Sequence, residues 1–259
     1  MLKVFGNKLD FKRFPDGTIL GELNPYYRTE PTITWLYEND EEMVKLFYIV
    51  SHLREHGRNE INLILPYIPN ARMDRVKGDA EIFTLKHFAS FINSLNFKSV
   101  KVADPHSYVS EALFNNFHKF DLTHVVKKFI NEEKVDMLFF PDEGAMKRYS
   151  SEYEMPYSFG IKKRDWKTGN ILGLDVVGEN VEGKTILITD DICSKGGTFF
   201  HSAKKLRELG AKNVFLYITH CENSILEGEL INSGLVNKIY TTNSIFTKKH
   251  DLIHVEEIF

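Results

Sequence analysis

Apolar and polar positions follow two alternating rhythms along this chain. Short apolar runs, rich in β-branched and aromatic residues, are each followed by a polar loop. A segment with apolar residues three or four apart comes next. Runs of the first kind predict buried strands, and segments of the second kind predict amphipathic helices. Strands are expected at residues 2–5, 33–37, 61–67, 99–103, 137–140, 185–189 and 213–219, with strand-like pieces at 157–161, 171–177, 238–241 and 252–255. Asp40 is positioned to cap a helix over 41–55 whose apolar face would be Val44, Phe47, Tyr48 and Leu53. A helix over 81–95 would bury Phe88, Phe91, Ile92 and Leu95. Further helical pieces are expected at 108–115, from a cap at Asp121 to about residue 130, from Gly144 to about Tyr153, after Thr198, and near 225–231. The strand–helix–strand rhythm occurs once before and once after about residue 120. Two α/β domains follow, 1–120 and 121–259, each with a mainly parallel sheet.

The chain of 259 residues is long enough for two real cores. A net charge of −3 argues against a general nucleic-acid or membrane binder. No apolar run reaches the ~20 residues of a membrane span, and the start does not read as a signal peptide, so a cytoplasmic protein is expected. Cys193 and Cys221 make neither a metal nor a disulfide spacing and are read as reduced thiols, with Cys193 a small filler.

The organising stretch is Lys184–Gly210. Its apolar run Thr185–Thr189 is a strand covered on both faces, and Asp190 and Asp191 follow at the strand's carboxyl end. Gly196 and Gly197 allow a tight turn, and Thr198 is placed to cap a helix with Ala203, Leu206 and Leu209 on its apolar face. Carboxylates suit ribose hydroxyls or a hydrated metal, and a helix amino terminus suits a phosphate. Together they point to a sugar phosphate. Other strands also end in polar clusters: Arg72/Asp74/Arg75, Asp104/His106 and Asp142/Glu143. Such clusters converge when they leave one sheet edge. Each has a plainer reading. His106 is a metal ligand or a capping residue, Asp142 a ligand or a helix cap, and Arg72 and Arg75 phosphate forks or surface charges. The run Lys162–Lys167 resembles a hairpin tip, solvated or folded over a polyphosphate.

Taken in order, these segments resemble the ribose-phosphate diphosphokinase (PRPP synthetase) family over nearly the whole chain. The residues that carry the likeness are Phe14-Pro15-Asp16-Gly17, Pro66-Tyr67 with Ala71-Arg72-Met73-Asp74-Arg75, Asp104-Pro105-His106, Pro141-Asp142-Glu143-Gly144, Lys163-Arg164, and the loop Asp190–Thr198. The resemblance implies two tandem type I phosphoribosyltransferase-like α/β domains, with ATP-side motifs in the first and the sugar-phosphate loop in the second. It implies a magnesium-dependent enzyme that moves the β,γ-diphosphate of ATP to the anomeric hydroxyl of a ribose phosphate and releases AMP. By the same likeness, Phe14, Asp16, Arg72, Asp74 and Arg75 would bind ATP, with Phe14 and Asp16 at the adenine of a neighbouring subunit. His106 and Asp142 would hold magnesium, and Lys163 and Arg164 would stabilise charge on the transferring group. Asp190 and Asp191 would take the ribose hydroxyls, directly or through a second magnesium, and Ser194, Lys195, Gly196, Gly197 and Thr198 would cradle the 5-phosphate. A homodimer or higher homo-oligomer is implied, and no partner nucleic acid or membrane. The alternatives are a phosphoribosyltransferase that uses PRPP, and a non-catalytic subunit associated with a synthetase.

The chain departs from the family where the acceptor binds. Ser194-Lys195 replaces a usual Asp-Thr before Gly196-Gly197-Thr198. An added ammonium suits either a plain 5-phosphate or a 5-extended ribose phosphate such as ADP-ribose, which would tie the protein to NAD metabolism. Met73, Thr18 and Asp165 replace family residues on the ATP side and at the hairpin. Segments of the family at both ends have no counterpart, so feedback inhibition by ADP is not expected.

Overall fold

The computed structural model describes residues 1–26, 29–164 and 171–259, with the backbone alone at 162–164 and 171–172. The chain forms two compact units, Met1–Phe120 with Phe259, and Asp121–Ile258.

The first unit runs β1 (Leu2–Val4), β2 (Asn7–Lys8), β3 (Phe11–Arg13), β4 (Ile19–Gly21), β5 (Thr32–Trp35), α1 (Glu42–Glu55), β6 (Asn62–Ile64), α2 (Thr84–Ser94), β7 (Ser99–Ala103), α3 (Tyr108–Leu113) and β8 (Phe117–Phe120). Its sheet has the order β2-β1-β5-β6-β7-β8. The strands β5 to β8 are parallel, and β1 is antiparallel to both its neighbours. Ile33, Leu63 and Val100 are register partners across three strands and are all buried. Each such side chain contributes roughly 1.5–3 kcal/mol by leaving water. The strands β3 and β4 form a separate antiparallel hairpin.

Helix α1 corrects one expectation. Its buried face is Leu46, Ile49, Val50 and Leu53, while Val44, Phe47 and Tyr48 are about half exposed. The rotation follows from Glu42. This buried carboxylate accepts hydrogen bonds from the Trp35 indole Nε1 at 2.8 Å and the Glu38 backbone N–H at 2.9 Å. Residues at helical spacing from Glu42 are turned inward with it. Asp40 does not cap the helix; its carboxylate accepts from the Tyr37 hydroxyl at 2.8 Å.

The second unit runs α4 (Thr123–Glu132), β9 (Met137–Phe140), α5 (Glu143–Tyr149), β10 (Tyr157–Arg164), β11 (Ile171–Gly178), β12 (Thr185–Cys193), α6 (Gly197–Glu208), β13 (Asn213–Cys221), a 3₁₀ turn (Asn223–Glu227), α7 (Glu229–Asn232), β14 (Lys238–Thr242) and β15 (Ile253–Glu256). The sheet order is β11-β10-β9-β12-β13-β14-β15, parallel except for the β10–β11 hairpin. Phe139, Ile188, Leu216, Ile239 and Ile253 form one buried row of register partners across it. Asp121 does serve the start of α4, accepting from the Thr123 N–H at 2.8 Å. The lysine-rich turn is placed on a hairpin as expected, but its tip, 165–170, lies outside the described residues.

Strand order creates a switch point in this sheet. From β9 the chain passes through α5 to β10 on one side, and from β12 it passes through α6 to β13 on the other. Between the carboxyl ends of β9 and β12 the two connections diverge and leave a crevice. Ligands of open α/β sheets bind at such crevices.

Candidate active site

Asp142 leaves the end of β9 and caps α5, its Oδ1 accepting from the Ala145 N–H at 3.1 Å. The cap and ligand readings are compatible, because a carboxylate has more than one lone pair. Asp190 and Asp191 lie inside β12, which runs on to Cys193. This corrects the shorter strand read from the sequence. Asp190 pairs with Ile218, and pairing with β13 continues through Ile192–His220 and Cys193–Cys221, so the aspartates lie within the strand and not in a loop after it.

Neighbouring residues of a strand point to opposite faces, yet these two carboxylates meet. Asp190 folds back to accept from the Asp191 backbone N–H at 3.0 Å. Arg148 of α5 then joins the pair: its Nη2 donates to Asp190 Oδ1 and to Asp191 Oδ1, both at 2.8 Å. Asp191 is 2 % exposed. An unpaired charge so buried would cost several kcal/mol, and the guanidinium offsets that cost. Burial first, and then the Asp191 carboxylate, push the Asp190 pKa well above its ordinary value, with Arg148 opposing them. Burial also works against the Arg148 charge, but Asp191, then Tyr149 and Asp190, outweigh it and hold that group above its ordinary value. Arg148 was not singled out in the sequence. Its signal was modest: a basic residue on the helix that Asp142 opens.

The turn Ser194–Thr198 follows. Gly196 takes a left-handed φ of +80°, and a Cβ there would lie 3.3 Å from the Leu230 side chain. Helix α6 begins at Gly197 with Gly196 as its cap residue. The cap expected at Thr198 is therefore displaced, because the tight turn needs the glycine just before the helix. Ala203 and Leu206 are buried as expected, but Leu209 ends the helix and is 39 % exposed. The segment after β13 backs this turn. Ser194 Oγ lies 3.1 Å from Ser224 Oγ, the Glu222 N–H donates to the Cys193 carbonyl at 2.8 Å, and Lys195 Nζ lies 3.2 Å from Glu227 Oε2. A Cβ on Gly228 would fall 1.8 Å from the Lys195 carbonyl oxygen, so only glycine fits against the turn. Cys193 is 1 % exposed, and its hydrogen bond to Cys221, then burial, push its pKa up. It is a packed thiol with no nucleophilic character.

The polar clusters do not share one sheet edge, as the sequence suggested. Asp142 and Asp190/Asp191 belong to the second unit's sheet, and the other two clusters follow β6 and β7 of the first. Arg72 and Arg75 are exposed in the loop after β6, where Arg75 Nε lies 3.4 Å from Asp74 Oδ1. His106 follows β7 and is half-buried. Asp104 before it is buried with a left-handed φ of +44°, a conformation non-glycine residues adopt rarely. Phe14 and Asp16 occupy the β3–β4 turn, with Phe14 half exposed. The Asp16 carboxylate accepts from the Thr18 hydroxyl at 2.7 Å and the Thr18 N–H at 2.9 Å, which lowers its pKa. Thr18 thus builds the turn. Lys163 and Arg164 end β10 at a register shift against β11, and their side chains lie outside the described residues.

Among the described residues, no group of three or more His, Cys, Asp or Glu side chains forms a ready-made metal site. Magnesium does not require one. It keeps several waters and takes one or two carboxylates plus phosphate oxygens. The oxygen donors of Asp142 and of the aspartate pair fit that preference.

The family pattern of the phosphoribosyl synthetase-associated domain matches residues 126–257. The ribose-phosphate pyrophosphokinase of Sulfolobus acidocaldarius is 30% identical over 263 residues, covering 96% of this chain and 89% of the relative. The chain belongs to the ribose-phosphate pyrophosphokinase family. The enzyme of the same name from Saccharolobus solfataricus is 27% identical, covering 96% of this chain and 88% of the relative. Among solved structures, the phosphoribosylpyrophosphate synthetase of Mycobacterium smegmatis superposes with a TM-score of 0.76 at 21% identity, covering 96% of this chain and 85% of that one. The likeness establishes the fold as two phosphoribosyltransferase-like α/β domains in tandem. As a member of this family the protein is a transferase of the diphosphokinase class. Among the described residues, no helix is long and apolar enough to cross a membrane.

Proposed function

We propose that this enzyme transfers the β,γ-diphosphate of ATP to the anomeric hydroxyl of a ribose phosphate. The anomeric oxygen forms a bond to the β-phosphorus. The bond from that phosphorus to the α,β-bridging oxygen breaks, AMP leaves with the oxygen, and the hydroxyl proton passes to solvent. The observation that carries this reading is the switch-point constellation, two aspartates on one strand leading into a glycine turn and a helix amino terminus, within a chain of this family. Asp190 and Asp191 accept from the ribose hydroxyls. The turn Ser194–Thr198 and the first N–H groups of α6 receive the 5-phosphate. Arg72 and Arg75 grip the triphosphate, and Phe14, Asp16 and Asp74 hold the nucleoside side. Lys163 and Arg164 meet the negative charge that grows on the transferring group. Magnesium ions at His106 and at Asp142 would neutralise phosphate charge when bound. Positioning and electrostatics supply most of the rate in such transfers.

For the acceptor we favour a ribose phosphate extended at the 5-position, ADP-ribose being the case to test beside ribose 5-phosphate. Lys195 supports this choice. Its ammonium is held by Glu227 in an exposed pair, an arrangement worth little and readily exchanged for a second phosphate. The test is AMP formation from ATP and magnesium with either acceptor. Faster AMP release with ADP-ribose supports the longer acceptor, and preference for ribose 5-phosphate removes it. A non-catalytic, synthetase-associated subunit is the second reading, motivated by the family description that matches residues 126–257. Absence of AMP with every acceptor, restored by an active partner chain, would favour it.

A further inference from the structure

Arg148 stands apart from every role assigned so far. It reaches both aspartates through a single nitrogen, Nη2, at 2.8 Å from each Oδ1. Its side chain is largely buried, and its Nε–H is buried with no hydrogen-bond partner. It also sits on α5, the helix whose first turn Asp142 caps. One rigid helix therefore ties the loop end of β9 to the aspartates of β12.

We propose that Arg148 is a positioning residue for sugar recognition: bridging Asp190 and Asp191, it sets the two carboxylates at the spacing that a pair of neighbouring ribose hydroxyls requires. The inference rests on the assignment of these aspartates to the ribose. Nη2 suits the task because its two N–H donors diverge in fixed directions within the guanidinium plane, one for each carboxylate, where an ammonium is a point charge on a flexible stem. The spare Nε–H is a donor that an oxygen arriving with the sugar satisfies, so the unpartnered group marks a site awaiting a ligand.

The experiment uses the full-length protein and two readouts. Binding of ribose 5-phosphate and of ADP-ribose is measured by calorimetry without ATP, binding of ATP with magnesium is measured separately, and AMP release gives KM and kcat. Arg148→Gln is expected to weaken sugar binding by about tenfold or more, the effect of losing charge-assisted bonds, and to leave ATP affinity within about twofold. Arg148→Lys keeps the charge and is expected to weaken sugar binding by about threefold or more while recovering part of the loss in Arg148→Gln. If Arg148→Gln does not fold, Arg148→Lys carries the test. Parent-like sugar binding in either variant that folds overturns the proposal. So does an equal loss of sugar and ATP affinity, which reports a general disturbance. If the parent binds sugar but forms no AMP, the proposed reaction falls and the role of Arg148 is still decided by the binding data. If the parent binds neither sugar, both fall.

Discussion

Asp190 carries its charge in an unfavourable place. Burial and Asp191 raise its pKa, so near the raised value the folded chain binds a proton that the unfolded chain has lost. The stability linked to this proton is fully present below the ordinary carboxylate value, and it is lost as pH rises through the raised one. Asp190→Asn removes that loss while its amide oxygen can still accept from Arg148. Thermal unfolding at pH 8 should show the variant at least as stable as the parent, with acceptor turnover abolished; clear destabilisation there would contradict the account. Lys163→Ala should lower turnover by about 100-fold, near the ~3 kcal/mol typical of a lost charge-stabilising group, with unfolding unchanged. Steady-state AMP release checks it, and near-normal turnover would remove the assigned role. Lys195→Thr should shift preference toward ribose 5-phosphate, read by comparing kcat/KM for the two acceptors. The placement of the aspartates after a buried run and of the glycines just before a helix was legible in the sequence, because both lie where an apolar run gives way to an amphipathic segment. Arg148 was not, because one arginine on an amphipathic helix looks like any solvated charge until the strand it faces is known.

At the scale of elements, most strands and helices were legible from apolar periodicity, and the errors share a cause. Helix α1 carries two apolar stripes, and the one that faces the core is the one in line with the buried Glu42, which is held by the Trp35 indole, the Glu38 N–H and the Met1 amino terminus. No periodicity encodes that choice. Glu42→Ala should therefore cost roughly 2–4 kcal/mol, from the buried Trp35 indole and the part-buried Glu38 N–H and Met1 amino terminus that lose their acceptor, and denaturant unfolding of the intact chain measures it. The extension of β12 through Cys193 was likewise hidden, since Asp190 and Asp191 read locally as a loop. Only pairing with β13 keeps them in the strand. The turn at Ser194–Thr198 depends on a segment far along the chain, where Gly228 lies against the Lys195 carbonyl. Gly228→Ala should force that turn to move, raising the KM for the acceptor by about tenfold with the KM for ATP little changed. Equal effects on both substrates would argue against a turn that serves the sugar alone.

For the whole molecule, the two-unit organisation follows from a rhythm that repeats along the chain, and the family match spans both units. The sequence suggested one sheet edge for all the polar clusters, but two sheets divide them, an outcome set by strand pairing and not by local pattern. The proposed division of labour assigns the ATP motifs to the first unit and the sugar turn to the second. Its chemistry releases AMP from ATP, a cleavage that no phosphoribosyltransferase reaction carries out. The most direct test is to incubate the purified chain with ATP and magnesium, adding ribose 5-phosphate or ADP-ribose, and to follow AMP. The account predicts AMP in step with a sugar 1-diphosphate, dependent on the acceptor and lost in Asp191→Asn. ATP left intact with both acceptors would contradict it.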